Sequence, residues 1–228
     1  DSTGVAAGFR GSVVRTTDRG NTWQHVAIPF DLNFPGMCAF GPNVWLCGEE
    51  GMVLKSTDQG MTWTSMKVDT ELLLGSISFA DEQHGWMASL QRKLWRSTDG
   101  GVTWKEQKLD SFLPVAAILA TSPQECLLAG YQGLILHTTD AGRSWRQPPS
   151  YQTDFYSLAM DSTGAGWAVG RRGAIVRGRD SNSSWRLHDI PDTKSIHAIT
   201  MLPNGVAVAV GDEGIIFRLY SLSAGELP

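Results

Sequence analysis

An eight-residue element ending in tryptophan returns at an almost constant interval, and this limits what the chain can fold into. The five copies end at Trp23, Trp63, Trp104, Trp145 and Trp185, at intervals of 40, 41, 41 and 40 residues. A second element, Gly-x-x-Gly followed by a β-rich run, recurs in a matching register, and its last copy at 211–214 has no octapeptide after it. A fixed period of about 20–50 residues is typical of repeat architectures. The sequence therefore predicts about six similar units.

The apolar pattern within each unit predicts β-strands and almost no helix. In the third unit we predict strands A to D at Ser76–Phe79, Gly85–Ser89, Lys93–Thr98 and Thr103–Gln107. These segments are short and rich in β-branched or aromatic residues, and no segment has a sustained helical period. Four antiparallel strands in about 40 residues form one blade of a β-propeller. We predict an all-β, single-domain propeller (1–228) of about six four-stranded blades, with repeats near 1–30, 34–69, 74–110, 114–149, 154–191 and 195–221.

The first and last units depart from this pattern. Residue 1 falls just after the position of strand A in the first unit. The sixth unit has strands A, B and C at Ile196–Met201, Val206–Val210 and Ile215–Leu219. Strand A is the innermost strand of a blade and shields strand B, so we expect the natural chain to start further upstream. A seven-bladed ring, with part of the natural chain absent, is the alternative to six blades.

Composition and charge exclude several classes of protein. The formal net charge of −4 is unlike that of a basic nucleic-acid-binding domain, and a chain with 42% hydrophobic and 18% charged residues is not disordered. The longest apolar runs, such as Val115–Ala120, are far shorter than the roughly 20 residues of a membrane-spanning helix. Three cysteines exclude a fold built on disulfides.

The octapeptide is interpreted as a folding element. Its aspartate lies between strands C and D, where a carboxylate accepts hydrogen bonds from the N–H groups of a turn. The glycine two residues later, present in four copies, suits a left-handed conformation. The ligand set of a calcium loop is missing, and use of the same residues in every unit indicates a structural role. The residues assigned to this role are Asp18, Trp23, Asp58, Trp63, Asp99, Trp104, Asp140, Trp145, Asp180 and Trp185.

The octapeptide matches the Asp-box pattern Ser/Thr-x-Asp-x-Gly-x-Ser/Thr-Trp. Together with the preceding Gly-x-x-Gly element, it resembles the Asp-box (BNR-like) repeat β-propellers of the photosystem II stability/assembly factor-like family, over nearly the whole chain. The resemblance implies an exported, non-catalytic propeller of the periplasm or thylakoid lumen, without a cofactor. It also implies a protein partner, with the chain acting as an assembly or stability factor, or a peripheral subunit, of a photosynthetic-type membrane complex. The family usually has seven blades.

The Gly-x-x-Gly loops join strands B and C and are predicted to lie on the face opposite to the boxes. Their central residues differ between units although the framework repeats, and binding specificity usually depends on such residues. Arginine and aromatic residues are also enriched in protein interfaces. Solvated turns without a partner are the alternative interpretation. The predicted partner-binding residues are Phe9, Arg10, Glu49, Glu50, Arg92, Tyr131, Arg171, Arg172, Asp212 and Glu213.

Two other columns of residues recur and are interpreted as structural. One is a basic residue in strand C, expected to reach the backbone carbonyls or a carboxylate of a neighbouring blade; an anion site is the alternative. The other is a tryptophan in strand B, expected to pack between blades; a glycan platform is the alternative. The members are Arg15, Lys55, Arg96, His137, Arg177 and Arg218 in strand C, and Trp45, Trp86 and Trp167 in strand B.

Cysteine and histidine positions give no metal motif. Cys38 and Cys47 are expected nearly opposite each other on adjacent strands, either bonded or as two buried thiols. The histidines are scattered, and no nucleotide-binding loop or nucleophile elbow is present. A secreted glycosidase of the sialidase/Asp-box type is the alternative function. Because the repeats have nearly equal lengths and the recurrent aspartates belong to the boxes, we predict no catalytic residue and no metal site.

Overall fold

Six antiparallel sheets follow one another along the chain in a computed structural model, which describes residues 2–109, 111–147, 151–160, 164, 166–178, 185–188, 194–202 and 204–220. We number these sheets as blades 1 to 6. Blade 1 contains β1 (Gly4–Ala7), β2 (Val13–Thr16) and β3 (Gln24–His25). Blade 2 contains β4 (Gly36–Phe40), β5 (Asn43–Cys47), β6 (Met52–Ser56) and β7 (Thr64–Lys67). Blade 3 contains β8 (Leu74–Phe79), β9 (Gly85–Ser89), β10 (Leu94–Ser97) and β11 (Lys105–Gln107).

The second half of the chain repeats this arrangement. Blade 4 contains β12 (Val115–Ala120), β13 (Cys126–Gly130) and β14 (Ile135–Thr138). Blade 5 contains β15 (Phe155–Met160), β16 (Gly166–Gly170), β17 (Ile175–Gly178) and β18 (Arg186–His188). Blade 6 contains β19 (Ile196–Met201), β20 (Val206–Gly211) and β21 (Ile216–Tyr220). In the part of the chain that the structure describes, the helical elements are five single 3-10 turns, at 9–11, 49–51, 131–133, 171–173 and 212–214.

The blades are arranged around their A strands. Strand β8 contacts both β4 and β12, and β15 contacts both β12 and β19, so the A strands of blades 3, 4 and 5 each lie between the A strands of their neighbours. Within a blade, consecutive strands pair in antiparallel order from the inside outwards. This arrangement confirms the predicted all-β propeller.

Three blades have three strands among the described residues. Blade 1 has strands B, C and D, because β1 precedes a Gly-x-x-Gly loop as strand B does in blades 2, 4, 5 and 6. Blade 6 has strands A, B and C, and the fourth strand of blade 4 is reduced to a single bridge between His137 and Arg146. The inner edge of β1 consequently has no strand paired with it in the described structure.

The tryptophans of strand B lie in the core between blades. Trp45 and Trp86 are completely buried, and Trp45 stacks on Phe79 of the next blade with ring centroids 3.8 Å apart. Trp86 packs edge-on against Trp145 of the next blade. A Cβ atom on Gly142 would lie 2.7 Å from the Trp86 ring, so this box position has no room for a side chain. The interpretation of these tryptophans as core residues is confirmed.

The basic residues of strand C connect neighbouring blades. The Arg15 Nε atom donates a hydrogen bond to the Gln59 carbonyl of the next blade at 2.9 Å. Lys55 Nζ donates to the Gly100 carbonyl at 2.8 Å and also lies over the Trp45 ring. Arg96 donates to the Pro123 carbonyl in the same manner. The expected structural role is confirmed for these three residues.

The strand register corrects the expected position of two cysteines. Cys38 pairs with Trp45 and Cys47 pairs with Gly36, so the two cysteines are offset by two positions and are not opposite each other. Both thiols are free. Burial raises the pKa of both, and the Cys38 sulfur accepts a hydrogen bond from the Phe79 N–H at 3.2 Å. The thiols therefore belong to the packing between blades.

Candidate partner-binding face

The boxes form one face of the propeller, and their carboxylates are occupied by their own turns. In blade 3 the Asp99 carboxylate accepts hydrogen bonds from the Ser97 hydroxyl at 2.8 Å, the Thr103 N–H at 2.9 Å and the Thr103 hydroxyl at 2.5 Å. The same pattern recurs around Asp18, Asp58 and Asp140. Asp180 lies outside the described residues.

These hydrogen bonds favour the ionised form of the box carboxylates. Bonds from Thr22 lower the pKa of Asp18 to about 2, and bonds from Ser144 lower that of Asp140 to about 2. For Asp99, burial acts to raise the pKa, but the bonds from Thr103 and Ser97 outweigh it, so the net shift is downward. Groups held in this way have little capacity to transfer protons near neutral pH.

The Gly-x-x-Gly loops form the opposite face, where they contact the connections between strand D and the next strand A. The Tyr131 N–H donates to the Pro114 carbonyl, the Arg171 N–H to Asp154, and the Asp212 N–H to Ser195. The third residue of each of these loops has a positive φ although it is not glycine. A left-handed non-glycine residue is uncommon and slightly strained. The residues in this conformation are Arg10, Glu50, Gln132, Arg172 and Glu213, with φ between 53° and 56°.

Blades 1 and 2 contribute four of the predicted residues to this face. Phe9 is 80% exposed, and the Arg10 N–H donates to the Asn33 side chain. Glu49 accepts hydrogen bonds from the Asn33 backbone and side chain, so its carboxylate stabilises the adjoining loop. Glu50 is exposed.

Blade 3 departs from the Gly-x-x-Gly pattern. Arg92 occupies the position of the second glycine, with a φ of 68°. Its guanidinium donates to the carbonyl of Phe112, whose side chain is 88% exposed. An aromatic side chain in this position offers apolar contact area to a partner.

Two of the predicted residues, Arg171 and Arg172 of blade 5, lie in the lining of one cleft between blades 4 and 5. The cleft has a volume of about 470 Å³ and includes Gln132, Asp154, Arg171 and Arg172 in its lining. Asp154 accepts a hydrogen bond from the Gln132 N–H at 2.9 Å and lies 3.5 Å from the Arg171 guanidinium. The Arg172 side chain is exposed at the rim. The cleft therefore combines cationic groups with one carboxylate.

A row of rings lies beside this cleft, and two of its three members, Tyr156 and His197, were missed by the sequence analysis. Tyr131 packs edge-on against Tyr156, with centroids 6.2 Å apart, and Tyr156 stacks on His197 at 5.8 Å with an interplanar angle of 18°. The His197 Nε2 atom lies 2.6 Å from the Asp212 carboxylate, and the bond with His197 lowers the pKa of Asp212. Tyr156 and His197 occupy the same position in β15 and β19, so alignment of the A strands could have found them.

Two negative findings concern the described residues only. They contain no group of three or more His, Cys, Asp or Glu side chains placed to hold a metal ion. They also contain no helix with the length and apolar character needed to cross a bilayer.

Glu213, the remaining predicted residue, forms an ion pair with Lys194 at 2.8 Å.

Comparison with known proteins gives one family match. A family model described as Photosynthesis system II assembly factor YCF48 matches residues 62–225. A search of curated proteins found no match.

Solved structures similar to this chain are β-propellers. A structure of YCF48 bound to a D1 peptide is 22% identical, with a TM-score of 0.71, and the match covers 87% of this chain and 68% of that one. YCF48 from Cyanidioschyzon merolae is 20% identical, with a TM-score of 0.71 and coverages of 88% and 71%. A GH74 xyloglucanase from Xanthomonas campestris is 16% identical, with a TM-score of 0.73, covering 99% of this chain and 43% of that one. At these identities the structural likeness establishes the fold alone.

Proposed function

The chain belongs to the photosystem II assembly factor YCF48 family, and from this premise we propose that it is a non-catalytic propeller that binds a protein of a photosynthetic-type membrane complex. Its role would be assembly or stabilisation of that complex. One similar structure contains a D1 peptide, which makes a peptide segment of a membrane-complex subunit the favoured ligand. The observation that carries the proposal is the cleft of blades 4 and 5, which Arg171 and Arg172 line beside the row of rings formed by Tyr131, Tyr156 and His197.

The chemistry of this cleft suits a polar or acidic peptide. Arg171 and Arg172 offer guanidinium groups that donate to carboxylates in paired geometry. Tyr131 adds a ring that contributes apolar area while its hydroxyl stays available for hydrogen bonding. Phe9 and Arg10 extend the same face at blade 1, together with the exposed Glu50. Interfaces with arginine and aromatic residues at the centre depend strongly on those residues.

Catalysis is not part of the proposal. Glycoside hydrolysis uses a pair of carboxyl groups at a set distance, or a tyrosine nucleophile with its own acid. Asp154 is the one carboxylate in the described lining of the cleft, and the described box carboxylates bind their own turns. We further propose that the protein acts in the thylakoid lumen or the periplasm, which fractionation of the native host would test.

Affinity capture tests the proposed function. The immobilised protein is mixed with detergent-solubilised membranes of the host, and retained proteins are identified by mass spectrometry. We expect a subunit of a photosynthetic-type complex to be retained, with an on-rate that falls as salt concentration rises. Arg171→Glu/Arg172→Glu is expected to reduce retention at least tenfold, because truncation of an interface arginine alone costs about 2 kcal/mol or more at a hot spot.

A control variant carries the same change in charge on the other face. Arg19 and Arg143 are exposed residues of the boxes of blades 1 and 4, so Arg19→Glu/Arg143→Glu should retain the partner as the wild type does. Equal loss in both variants would indicate general electrostatics and contradict a binding site at the cleft of blades 4 and 5. Retention of no membrane protein by the wild type would contradict the proposed function itself.

A further inference from the structure

The junction between blades 3 and 4 contains buried donors without acceptors, and the proposed function does not use it. At the junction of blades 2 and 3, Lys55 Nζ and Trp45 Nε1 both donate to the Gly100 carbonyl, at 2.8 and 3.0 Å. The residues at the equivalent positions of blade 3 are Arg96 and Trp86. The Arg96 Nε–H and the Trp86 Nε1–H are buried and have no hydrogen-bond partner among the described residues. A buried donor left unpaired costs free energy, so an acceptor at this junction would stabilise the fold.

A second arginine lies beside Arg96 in this junction. The residue after the box glycine is Met61 in blade 2 and Val102 in blade 3, but Arg143 in blade 4. The guanidinium carbon of Arg96 lies 5.5 Å from the centroid of the Trp86 ring, and the same ring lies against the glycine that precedes Arg143. Burial lowers the pKa of Arg96, and the positive charge of Arg143 lowers it further. Two like charges therefore lie close together.

Carboxylates of the described residues do not neutralise this pair. The ion pairs of the described residues include neither Arg96 nor Arg143. Asp140, the box carboxylate nearest to Arg143 in the sequence, accepts hydrogen bonds from the Thr138 and Ser144 hydroxyls. A partly buried charge without a counter-charge is unfavourable, and a like charge beside it adds to the cost. An anion bound between the two guanidinium groups would offset both effects.

A cavity of about 230 Å³ is lined in part by Arg143. Its lining also includes Lys108 and Ser144, contains no carboxylate among the described residues, and shares no residue with the cleft of blades 4 and 5. An oxyanion suits two guanidinium groups, because their N–H groups bind its oxygens in paired geometry. A tetrahedral oxyanion also presents oxygens in several directions at once. The chemistry of the junction therefore favours an oxyanion over a halide.

We propose that the junction of blades 3 and 4 binds a small inorganic oxyanion, of the sulfate or phosphate type, between Arg96 and Arg143. The anion would accept the Arg96 Nε–H and N–H groups of the Arg143 guanidinium. It would link strand C of blade 3 to the box of blade 4, as the Gly100 carbonyl links blades 2 and 3. The site would stabilise the ring and act independently of partner binding at the cleft of blades 4 and 5.

Calorimetric titration of sodium sulfate into the protein, in a zwitterionic buffer, tests the site. The wild type should bind sulfate saturably, and inorganic phosphate should bind in the same manner. Arg143→Met, which introduces the residue of the blade 2 box, should weaken sulfate binding at least tenfold, because charged hydrogen bonds are lost. Arg19→Gln is the matched control, since it replaces an exposed box arginine of blade 1 with the residue that blade 2 has there. This variant should bind sulfate as the wild type does.

A charge reversal at the same position sharpens the test. Arg143→Glu supplies a carboxylate that can pair with Arg96, so this variant should no longer bind sulfate. In sulfate-free buffer it should unfold at a higher urea concentration than Arg143→Met, because Arg96 then has a counter-charge. Circular dichroism verifies that the variants are folded before titration.

Four results would overturn the proposal. The first is absence of saturable sulfate binding by the wild type, and the second is equal binding by Arg143→Met. The third is equal binding of chloride at matched ionic strength, which would indicate general screening of charge. The fourth is equal stability of Arg143→Glu and Arg143→Met without sulfate, since Arg96 would then need no counter-charge.

Discussion

The two faces of the propeller are built from loops that repeat equally often but vary very differently. On the box face, the side chains at each turn bind the turn itself, as Asp99 binds Ser97 and Thr103. On the Gly-x-x-Gly face, the backbone repeats while the side chains change from Phe9 to Tyr131 to Arg171. A side chain repeated at every turn thus indicates a structural role, whereas side chains that vary on a repeated backbone support the binding role that we propose for this face.

The largest effect is expected at a glycine of the box face. Gly142→Ala should lower the free energy of unfolding by about 2–4 kcal/mol, because the residue has positive φ and its new methyl group would contact the Trp86 ring. Gly214 of the Gly-x-x-Gly face also has positive φ, but nothing lies within 4 Å of its Cβ position. Gly214→Ala should therefore cost only about 1 kcal/mol. Equal losses in urea unfolding would contradict this assignment.

Removal of one box carboxylate should have a moderate effect. Asp99→Ala is expected to lower the free energy of unfolding by about 1–3 kcal/mol, since the Thr103 N–H and two hydroxyls lose their acceptor. Asp99→Asn keeps one carbonyl oxygen and should lose less. If the alanine variant unfolds at the same urea concentration as the wild type, the box bonds contribute nothing to stability.

Acid should weaken the box face in a predictable direction. The pKa of Asp18 and Asp140 is about 2 in the folded protein and near 3.8 ordinarily, so the folded chain binds fewer protons than the unfolded chain. Their stabilising contribution is complete above about pH 5 and is lost as the pH falls toward 2. Asp18→Asn/Asp140→Asn should unfold with a shallower dependence on pH in this range. A dependence as steep as that of the wild type would assign acid sensitivity to other groups.

The fold could be predicted from the sequence because the same sequence signals recur in successive units. Box tryptophans and Gly-x-x-Gly loops fix the period, and strands such as Gly85–Ser89 agree with the observed β9.

The cleft was only partly predictable. Tyr131, Arg171 and Arg172 lie in the variable loops, but Tyr156 and His197 lie in A strands, to which the sequence analysis assigned no binding residue. Their stacking depends on how neighbouring blades are placed, and a single sequence does not specify that placement.

The position of individual side chains around the ring was also not predictable. Arg10 and Arg171 belong to the same kind of loop, yet Arg10 adjoins Asn33 and Arg171 adjoins Asp154. The cysteine offset is a similar case, because it depends on a register fixed by the turn between β4 and β5. The repeats therefore predict the blades, whereas the arrangement of the cleft depends on contacts between side chains that differ from blade to blade.

Measuring partner affinity for two folded variants side by side tests the division of roles most directly. The assay uses the captured partner under conditions in which both variants are folded, as judged by circular dichroism. Asp99→Ala should bind as the wild type does, although it is less stable. Arg171→Glu/Arg172→Glu should remain within about 0.5 kcal/mol of wild-type stability and bind at least tenfold more weakly. Undiminished binding by the arginine variant, or lost binding by folded Asp99→Ala, would contradict the assignment of stability to the box face and partner binding to the Gly-x-x-Gly face.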